Sequence, residues 1–290
     1  MTSTTVPLRR AGAQKLTELS WGLRGCGPQD IPVQAAGVFR TAVTPELALG
    51  SSTGHGVRVC VVDSGIEADH PAVGALSGCY RVDGEDLAVV ETDPGDSCGH
   101  GTACASIIRQ AAPDCELYSV QVLGSSFSGT GNVLLAGLRW AVQQRFDVIN
   151  MSLSTTRPEF VQALHEMADD AFFARSVIVA AAHNSRVESF PWRFSSVISV
   201  GSHQQEDPAL ILYNPRPPVE FFAQGQNVRV GWLNGSTIRT TGNSFATPRI
   251  TGLCTRILAK HPQLTVFELK SVLYQIAANV GAASATENEV

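Results

Sequence analysis

The chain has 290 residues, of which 44% are hydrophobic and 16% are charged, and its formal net charge is −5. No block of Lys or Arg stands out, which argues against nucleic acid as a partner, and no apolar run is long enough to span a membrane. Because neither a Gly/Ser linker nor an internal repeat divides the sequence, we expect one large α/β core.

Strand-like and helix-like segments alternate from residue 57 onward. The segment VRVCVVD (57–63) is uniformly apolar and rich in β-branched residues, which is typical of a strand buried on both faces of a parallel sheet. The predicted strands are 57–63, 116–123, 147–154, 176–182 and 196–202, and the predicted helices are 100–112, 132–145, 158–175 and one beginning near residue 244. This alternation predicts an α/β fold with a doubly wound, mostly parallel sheet flanked by helices.

The last of these helices begins in the segment TTGNSFATPRI (240–250). Its core-facing residues recur at i, i+3, i+4, i+7 and i+8, and they are Ile250, Leu253, Cys254, Ile257 and Leu258. We expect Pro248 in the first turn, where its missing N–H costs nothing. Ser244 is therefore predicted at a helix N-terminus, where free N–H groups and the positive end of the helix dipole favour a developing anion.

Four polar side chains are predicted to meet at one rim of the sheet. Asp63 ends a strand, Asn184 follows another, and His100 and Ser244 begin helices. In doubly wound sheets the functional groups gather at the carboxyl ends of the strands. A serine hydroxyl needs a base to take its proton, and the base needs a partner to fix its tautomer, so Ser244, His100 and Asp63 are candidates for these three roles.

Five blocks of the chain, in this order, resemble the successive signature motifs of the subtilisin-like serine proteases. They are VCVVDSGI (59–66), GHGTACAS (99–106), INMSLS (149–154), VAAAHN (179–184) and TGNSFATP (241–248). The resemblance extends over roughly residues 50–275. It implies that Ser244 is the nucleophile, His100 the general acid and base, and Asp63 the carboxylate that orients it. It also implies that the side chain of Asn184 and the backbone N–H of Ser244 form the oxyanion hole.

The resemblance also implies where an extended peptide binds. The segments 125–131 and 149–154 are similar to the strands that hold such a peptide by main-chain hydrogen bonds. The residues implied in this binding are Ser128, Gly129, Ser152, Leu153 and Ser154. Glu188 and Ser189 are expected to line the floor of the specificity pocket, where a carboxylate would select Lys or Arg. Asp96 is a candidate for selecting Lys or Arg at the substrate residue that precedes the one in the specificity pocket.

The chain departs from the family pattern at several positions near these motifs. Ser154 and Thr155 replace a usual pair of glycines, and His183 replaces the glycine before the oxyanion-hole asparagine. Because those glycines allow close approach, the side chains at these positions should narrow or reshape the pocket for the residue that precedes the scissile bond. Other departures are Asn243 for Thr, Phe245 for Met, Arg249 for His, and residues 103–106 for a usual His-Val-Ala-Gly.

The seven cysteines are odd in number and form no CxxC pair. Because Cys60 lies in an apolar strand-like run and Cys104 and Cys254 lie in helix-like segments, we expect buried free thiols. The N-terminus lacks the apolar core of a secretory signal, so a reduced, cytoplasmic protein is predicted. We expect neither a metal nor a cofactor, since the histidines are not spaced as metal ligands and no loop resembles a calcium site.

These observations predict three segments. They are an N-terminal arm or helical extension (1–49), a catalytic domain (50–280) and a flexible tail (281–290). The predicted activity is hydrolysis of a peptide or protein through an acyl-enzyme, with leader-peptide processing of a dedicated substrate as the favoured role. Two alternatives stay open, namely a transamidating peptide macrocyclase and an inactive peptide-binding module. The sequence makes no prediction of the oligomeric state.

Overall fold

The computed structural model describes residues 43–280. Most of the predicted N-terminal arm, Cys26 and the predicted tail therefore lie outside the described residues. Within the described part of the arm, Val43 is buried in the core and helix α1 spans Pro45–Ala48. The Thr44 hydroxyl caps this short helix by accepting a hydrogen bond from the N–H of Leu47.

Thirteen strands are present in the described chain. In chain order they are β1 Arg58–Asp63, β2 Gly65–Ile66, β3 Gly78–Val82, β4 Val89–Glu91, β5 Gly95–Asp96, β6 Glu116–Gln121, β7 Val148–Met151, β8 Val177–Ala181, β9 Ile198–His203, β10 Leu212–Tyr213, β11 Phe221–Gln224, β12 Val228–Trp232 and β13 Ser236–Thr240. Nine of them form the central sheet in the order β10-β11-β9-β8-β7-β1-β6-β3-β4. The seven strands from β11 to β3 run parallel, and an antiparallel strand lies at each edge. The predicted mostly parallel sheet is confirmed.

Strand β1 lies in the middle of the sheet, paired with β6 on one side and β7 on the other. Its side chains alternate between two cores, with Val59 and Val61 facing one and Cys60 and Val62 facing the other. All four are fully buried, which explains the uniformly apolar run in this part of the sequence.

Helices cover both faces of the sheet. Besides α1 they are α2 His100–Ala111, α3 Gly131–Gln143, α4 Val161–Phe173, α5 Asn243–Lys260 and α6 Val266–Ile276, with a 3₁₀ turn at Pro158–Phe160. Buried residues of α2, α5 and α6 pack in one core, and those of α3 and α4 pack in the other. The predicted doubly wound architecture is confirmed. Between residues 43 and 280 we find no helix with the length and apolar character needed to cross a membrane.

Several parts of the chain differ from the sequence prediction. The segment 125–131 forms no strand, because the N–H of Gly124 donates to the carbonyl of Ser128 at 2.9 Å and closes a turn. Helix α6 and the β12–β13 hairpin were not predicted. The helix carries a local signal, since Thr265 and Glu268 form a capping box at its start.

Candidate active site

A buried carboxylate fixes the orientation of a histidine at the carboxyl end of β1. Asp63 is the last residue of β1 and is fully buried, and His100 is the first residue of α2. Nδ1 of His100 lies 2.8 Å from Oδ1 of Asp63, an oxygen that also accepts the N–H of Ser64 at 2.8 Å. Because a carboxylate only accepts, Nδ1 carries the proton and Nε2 is left as a proton acceptor.

The same contact shifts the pKa of His100. Burial lowers the pKa, but the charge of Asp63 and its hydrogen bond raise it, with a smaller contribution from Asp96, so the pKa lies above its ordinary value. The imidazolium form is therefore stabilised, as a group that takes a proton during a reaction requires.

The N-terminus of α2 is held by Asp96 of β5. Its carboxylate accepts from the N–H groups of Cys98, Gly99 and Thr102 and from the hydroxyls of Ser64 and Thr102. Because five donors occupy its two oxygens, the suggested role of Asp96 in substrate selection is corrected to one of fixing the helix that carries His100.

Gly99, the residue before this helix, has a φ of 91°, and a Cβ there would lie 2.7 Å from the Trp232 ring, so only glycine fits.

Ser244 lies in the first turn of α5, facing a cleft of about 300 Å³. His100 and Asn184 line the same cleft. Within the described chain no hydrogen bond joins the hydroxyl of Ser244 to the ring of His100. Catalytic hydrogen bonds of this kind are often long in the free enzyme and shorten when substrate binds.

Pro248 lies in the second turn of α5, which corrects the prediction that it lies in the first. The helix begins at Asn243, before the apolar stripe from which its start was inferred. Because proline has no N–H, the carbonyl of Ser244 loses its helical donor. The hydroxyl of Ser152 replaces that donor at 2.8 Å, and the thiol of Cys104 lies 3.7 Å away.

A buried chain of hydrogen bonds extends this contact from β7 into α5. Nδ2 of Asn150 donates to Oγ of Ser152 at 3.1 Å, and Oδ1 of Asn150 accepts from the hydroxyl of Thr251 at 2.9 Å. The three side chains are at most 5% exposed. They satisfy one another and the carbonyl of Ser244, so the first turn of α5 is tied directly to the sheet.

Ser152→Ala should lower the free energy of unfolding by about 1–3 kcal/mol, because the buried carbonyl of Ser244 and Nδ2 of Asn150 both lose a partner. Urea denaturation measures the change. Ser154→Ala removes a hydroxyl from the same cleft and should change stability by less than about 0.5 kcal/mol. Equal stability of Ser152→Ala and the unsubstituted protein would contradict the hydrogen-bond assignment.

Asn184 is oriented by the residue before Ser244. Its Oδ1 accepts the N–H of Asn243 at 2.9 Å. This contact fixes which end of the amide faces away from Asn243, so Nδ2 is the group that can donate into the cleft. The Asn243 side chain in turn accepts from the N–H of Ser202 at 2.9 Å and donates to the carbonyls of Ala182 and His183. Asn243 thus joins the ends of β8 and β9 to α5. Sequence reasoning noted it only as a departure.

The structure brings together part of the predicted substrate-binding set. Ser152, Leu153, Ser154 and His183 line the cleft with Ser244. Ser154 and His183 are two of the three positions at which glycine is usual in the family, and both line the cleft, whereas Thr155 lies outside the lining and pairs with Phe190. That these two residues restrict the pocket stays a prediction.

Four other predicted residues lie outside this lining. Ser128 and Gly129 belong to the closed turn after β6. Ser189 is fully buried, and its hydroxyl accepts from Nε1 of Trp192 at 2.8 Å. Glu188 is 64% exposed and forms an ion pair with Arg193 at 3.1 Å. Neither Glu188 nor Ser189 therefore lines the cleft, and the hydroxyl of Ser189 already has a partner.

Phe127 lines the cleft although sequence reasoning did not single it out. Its ring is 55% exposed, lies edge-on to the ring of His100 at 6.4 Å and stacks with Trp232 at 6.5 Å. Its exposure and its apolar neighbours suit contact with an apolar part of a ligand. The signal available in the sequence was a phenylalanine between two serines.

Asp63, His100 and Cys104 offer ligand atoms that all lie within 4.8 Å of one another. Burial raises the pKa of the Cys104 thiol well above its ordinary value, and the charge of Asp63 raises it further. A metal binds the thiolate, so this environment disfavours a metal site. The six cysteines in the described chain are free and buried, as predicted.

Comparison with known proteins gives consistent matches. A family model described as the Subtilase family matches residues 54–289. Subtilisin DY of Bacillus licheniformis is 31% identical over 243 residues, covering 79% of this chain and 86% of the relative. Subtilisin amylosacchariticus of Bacillus subtilis subsp. amylosacchariticus is 30% identical over 253 residues, covering 82% of this chain and 64% of the relative. The crystal structure of a cold-adapted subtilisin-like serine proteinase superposes with a TM-score of 0.64 at 27% identity, covering 77% and 83% of the two chains.

Proposed function

The chain belongs to the subtilase family and is a serine endopeptidase, and we propose that Ser244, His100 and Asp63 are its catalytic triad. One observation carries this assignment. A fully buried carboxylate holds Nδ1 of His100 at 2.8 Å, in the cleft that Ser244 also lines. This arrangement leaves Nε2 of His100 as the one ring nitrogen able to accept the proton of a nucleophile.

In the proposed mechanism, Oγ of Ser244 attacks the carbonyl carbon of the substrate while Nε2 of His100 takes the hydroxyl proton. Asp63 stabilises the resulting imidazolium through Nδ1. The tetrahedral intermediate collapses when His100 returns the proton to the leaving amine, and an acyl-enzyme remains on Ser244. A water molecule, deprotonated by His100, then attacks the acyl carbon. When the bond to Oγ breaks, His100 returns that proton to Ser244 and the second product leaves as a carboxylic acid.

The oxyanion of the tetrahedral intermediate needs donors placed before the reaction begins. We assign this role to Nδ2 of Asn184 and to the backbone N–H of Ser244. The first fits because Oδ1 of Asn184 is held by the N–H of Asn243. The second fits because N–H groups in the first turn of a helix have no partner inside it, and the helix dipole favours negative charge there.

The proposed substrate is an extended peptide lying along residues 152–154, in a pocket that Ser154 and His183 restrict. Such restriction favours a dedicated peptide substrate, including processing of a leader peptide, over general digestion. A cytoplasmic setting belongs to the same proposal. It is supported by the buried free thiols, among them Cys60 and Cys254, since reduced cysteines are typical of that compartment.

Labelling with a fluorophosphonate tests the nucleophile. The probe should form one covalent adduct per chain, located on the peptide that contains Ser244 by mass spectrometry, with Ser152 and Ser154 unmodified. Absence of an adduct would favour the inactive binding module. Incubation of an unbiased peptide library with enzyme that reacts with the probe tests the macrocyclase alternative. Hydrolysis adds one water to the products, whereas a macrocyclase gives a ring without added water.

A further inference from the structure

A second cavity, of about 590 Å³, lies beside the β12–β13 hairpin. It shares no lining residue with the cleft of Ser244. Three arginines line it, namely Arg229, Arg239 and Arg249, whereas Glu206 is the one acidic residue in its lining. No ion pair among residues 43–280 involves any of these four. The cavity therefore carries an excess of positive charge that the described chain leaves uncompensated.

Arg249 contributes the most unusual of these charges. It belongs to α5, is 8% exposed, and its Nε is buried without a hydrogen-bond partner in the described chain. A guanidinium presents five N–H donors, and a buried charge without a partner costs free energy. Burial also lowers the pKa of Arg249 from its ordinary value. An anion in the cavity would remove this cost.

Arg229 and Arg239 add to the unbalanced charge. They stand directly opposite each other in the β12–β13 register, where like charges destabilise a strand pair. Nε of Arg229 donates to the hydroxyl of Thr237 at 3.2 Å, and Nη1 of Arg239 donates to the carbonyl of Asn227 at 2.9 Å. These neutral acceptors orient the two side chains but neutralise neither, so further donors on both guanidinium groups stay available.

We propose that this cavity binds a small oxyanion, a phosphate or carboxylate compound, through the guanidinium group of Arg249 with Arg229 and Arg239 at the exposed side. The planar fork of arginine matches two oxygens of either group. The volume lies within the roughly 300–1,000 Å³ of small-molecule sites. Glutamine amides, including those of Gln110 and Gln226, supply neutral donors and acceptors in the lining.

Calorimetric titration of the full chain tests the proposal. The Ser244→Ala variant prevents self-digestion, and the result does not depend on whether the protein is a working protease. Inorganic phosphate and citrate are titrated separately, with sodium chloride at equal ionic strength as the reference. At least one should bind saturably with one site per chain. At one hundred times its dissociation constant it should raise Tm by roughly 5–10 °C above the chloride value.

The two anions distinguish the two ligand classes. Saturable binding of phosphate alone assigns a phosphate ligand, and saturable binding of citrate alone assigns a carboxylate ligand. No saturable response to either, relative to chloride, would overturn the proposal. Arg249→Gln should weaken binding by at least about tenfold, because it removes charge-assisted hydrogen bonds. Glu206→Gln should strengthen binding, because it removes the opposing charge.

Two further variants keep the test decisive. Arg239→Gln should also weaken anion binding, because Arg239 lines the cavity. Its side chain is exposed, so this variant should fold even if Arg249→Gln does not. Arg139→Gln removes an exposed arginine from α3, on the other face of the sheet, and should leave binding unchanged. Binding that survives both Arg249→Gln and Arg239→Gln at full strength would place the anion elsewhere and overturn the proposal.

Discussion

Ser244→Ala should lower kcat for peptide cleavage by roughly 10⁶-fold, as removal of the nucleophile does in serine proteases of this kind. The methyl group cannot attack a carbonyl, and no other hydroxyl of the cleft has a part in the proposed mechanism. The backbone of Ser244 is unchanged, so its carbonyl keeps the hydrogen bond from Ser152. The fold and the dissociation constant for an uncleaved peptide should therefore stay the same.

Mass spectrometry of the peptide products measures kcat, and circular dichroism reports the fold. Ser154→Ala is the matched control, because it removes a hydroxyl that lines the same cleft without a part in the proposed chemistry. Its kcat should remain within about tenfold of the unsubstituted enzyme. Cleavage by Ser244→Ala at a comparable rate would refute the assignment of the nucleophile.

Asp63→Asn should lower kcat by roughly 10⁴-fold while the fold is kept. The carboxylate accepts the proton of Nδ1 of His100 at 2.8 Å, whereas an amide at this position can donate to that nitrogen instead. His100 would then carry its proton on Nε2, the nitrogen that must accept the proton of Ser244. Single-turnover cleavage of a peptide substrate measures the loss.

The same variant should change the pH dependence of kcat/KM. Burial lowers the pKa of His100, and the charge and hydrogen bond of Asp63 raise it above its ordinary value. Since neutral His100 is the base, activity of the unsubstituted enzyme should rise with pH as His100 deprotonates. Without the carboxylate the effect of burial remains, so the acidic limb of the profile should move to lower pH.

Asp169→Asn provides a matched control, since Asp169 also faces a histidine, His165, at 3.8 Å but both side chains are largely exposed. Its kcat and its acidic limb should equal those of the unsubstituted enzyme, because solvent screens this pair. If Asp63→Asn left the acidic limb in place, the carboxylate would not be the group that sets the pKa of His100.

Elements buried on both faces were predictable because burial leaves a continuous apolar pattern in the chain. Strand β1 was placed within one residue of its observed start, and Asp63 was correctly located at its end. Helix α6 was not predicted, although the capping box of Thr265 and Glu268 marks its first turn. The start of α5 was also predicted to within one residue, but Pro248 was assigned to the first turn because the apolar stripe begins after the turn that carries Ser244.

The polar contacts around the site were less predictable. Whether Asp96, Glu188 or Ser189 faces a substrate depends on which donors reach each side chain. For Asp96 these include Ser64, which is distant in the sequence and lies beside it across the β2–β5 pair. For Glu188 the partner is the nearby Arg193, but the loop conformation that joins them leaves no periodic pattern.

Arg249 illustrates the same limit. Its residue type was visible as a departure from the family pattern, whereas its burial without a partner emerges only when α5 and the β12–β13 hairpin come to line the same cavity. The amino-acid order thus specified the layered α/β fold and the residues proposed for catalysis, because periodic burial and short motifs are local properties. Hydrogen-bond partners and cavities depend on segments far apart in the chain, and these are joined only when the sheet and helices pack together.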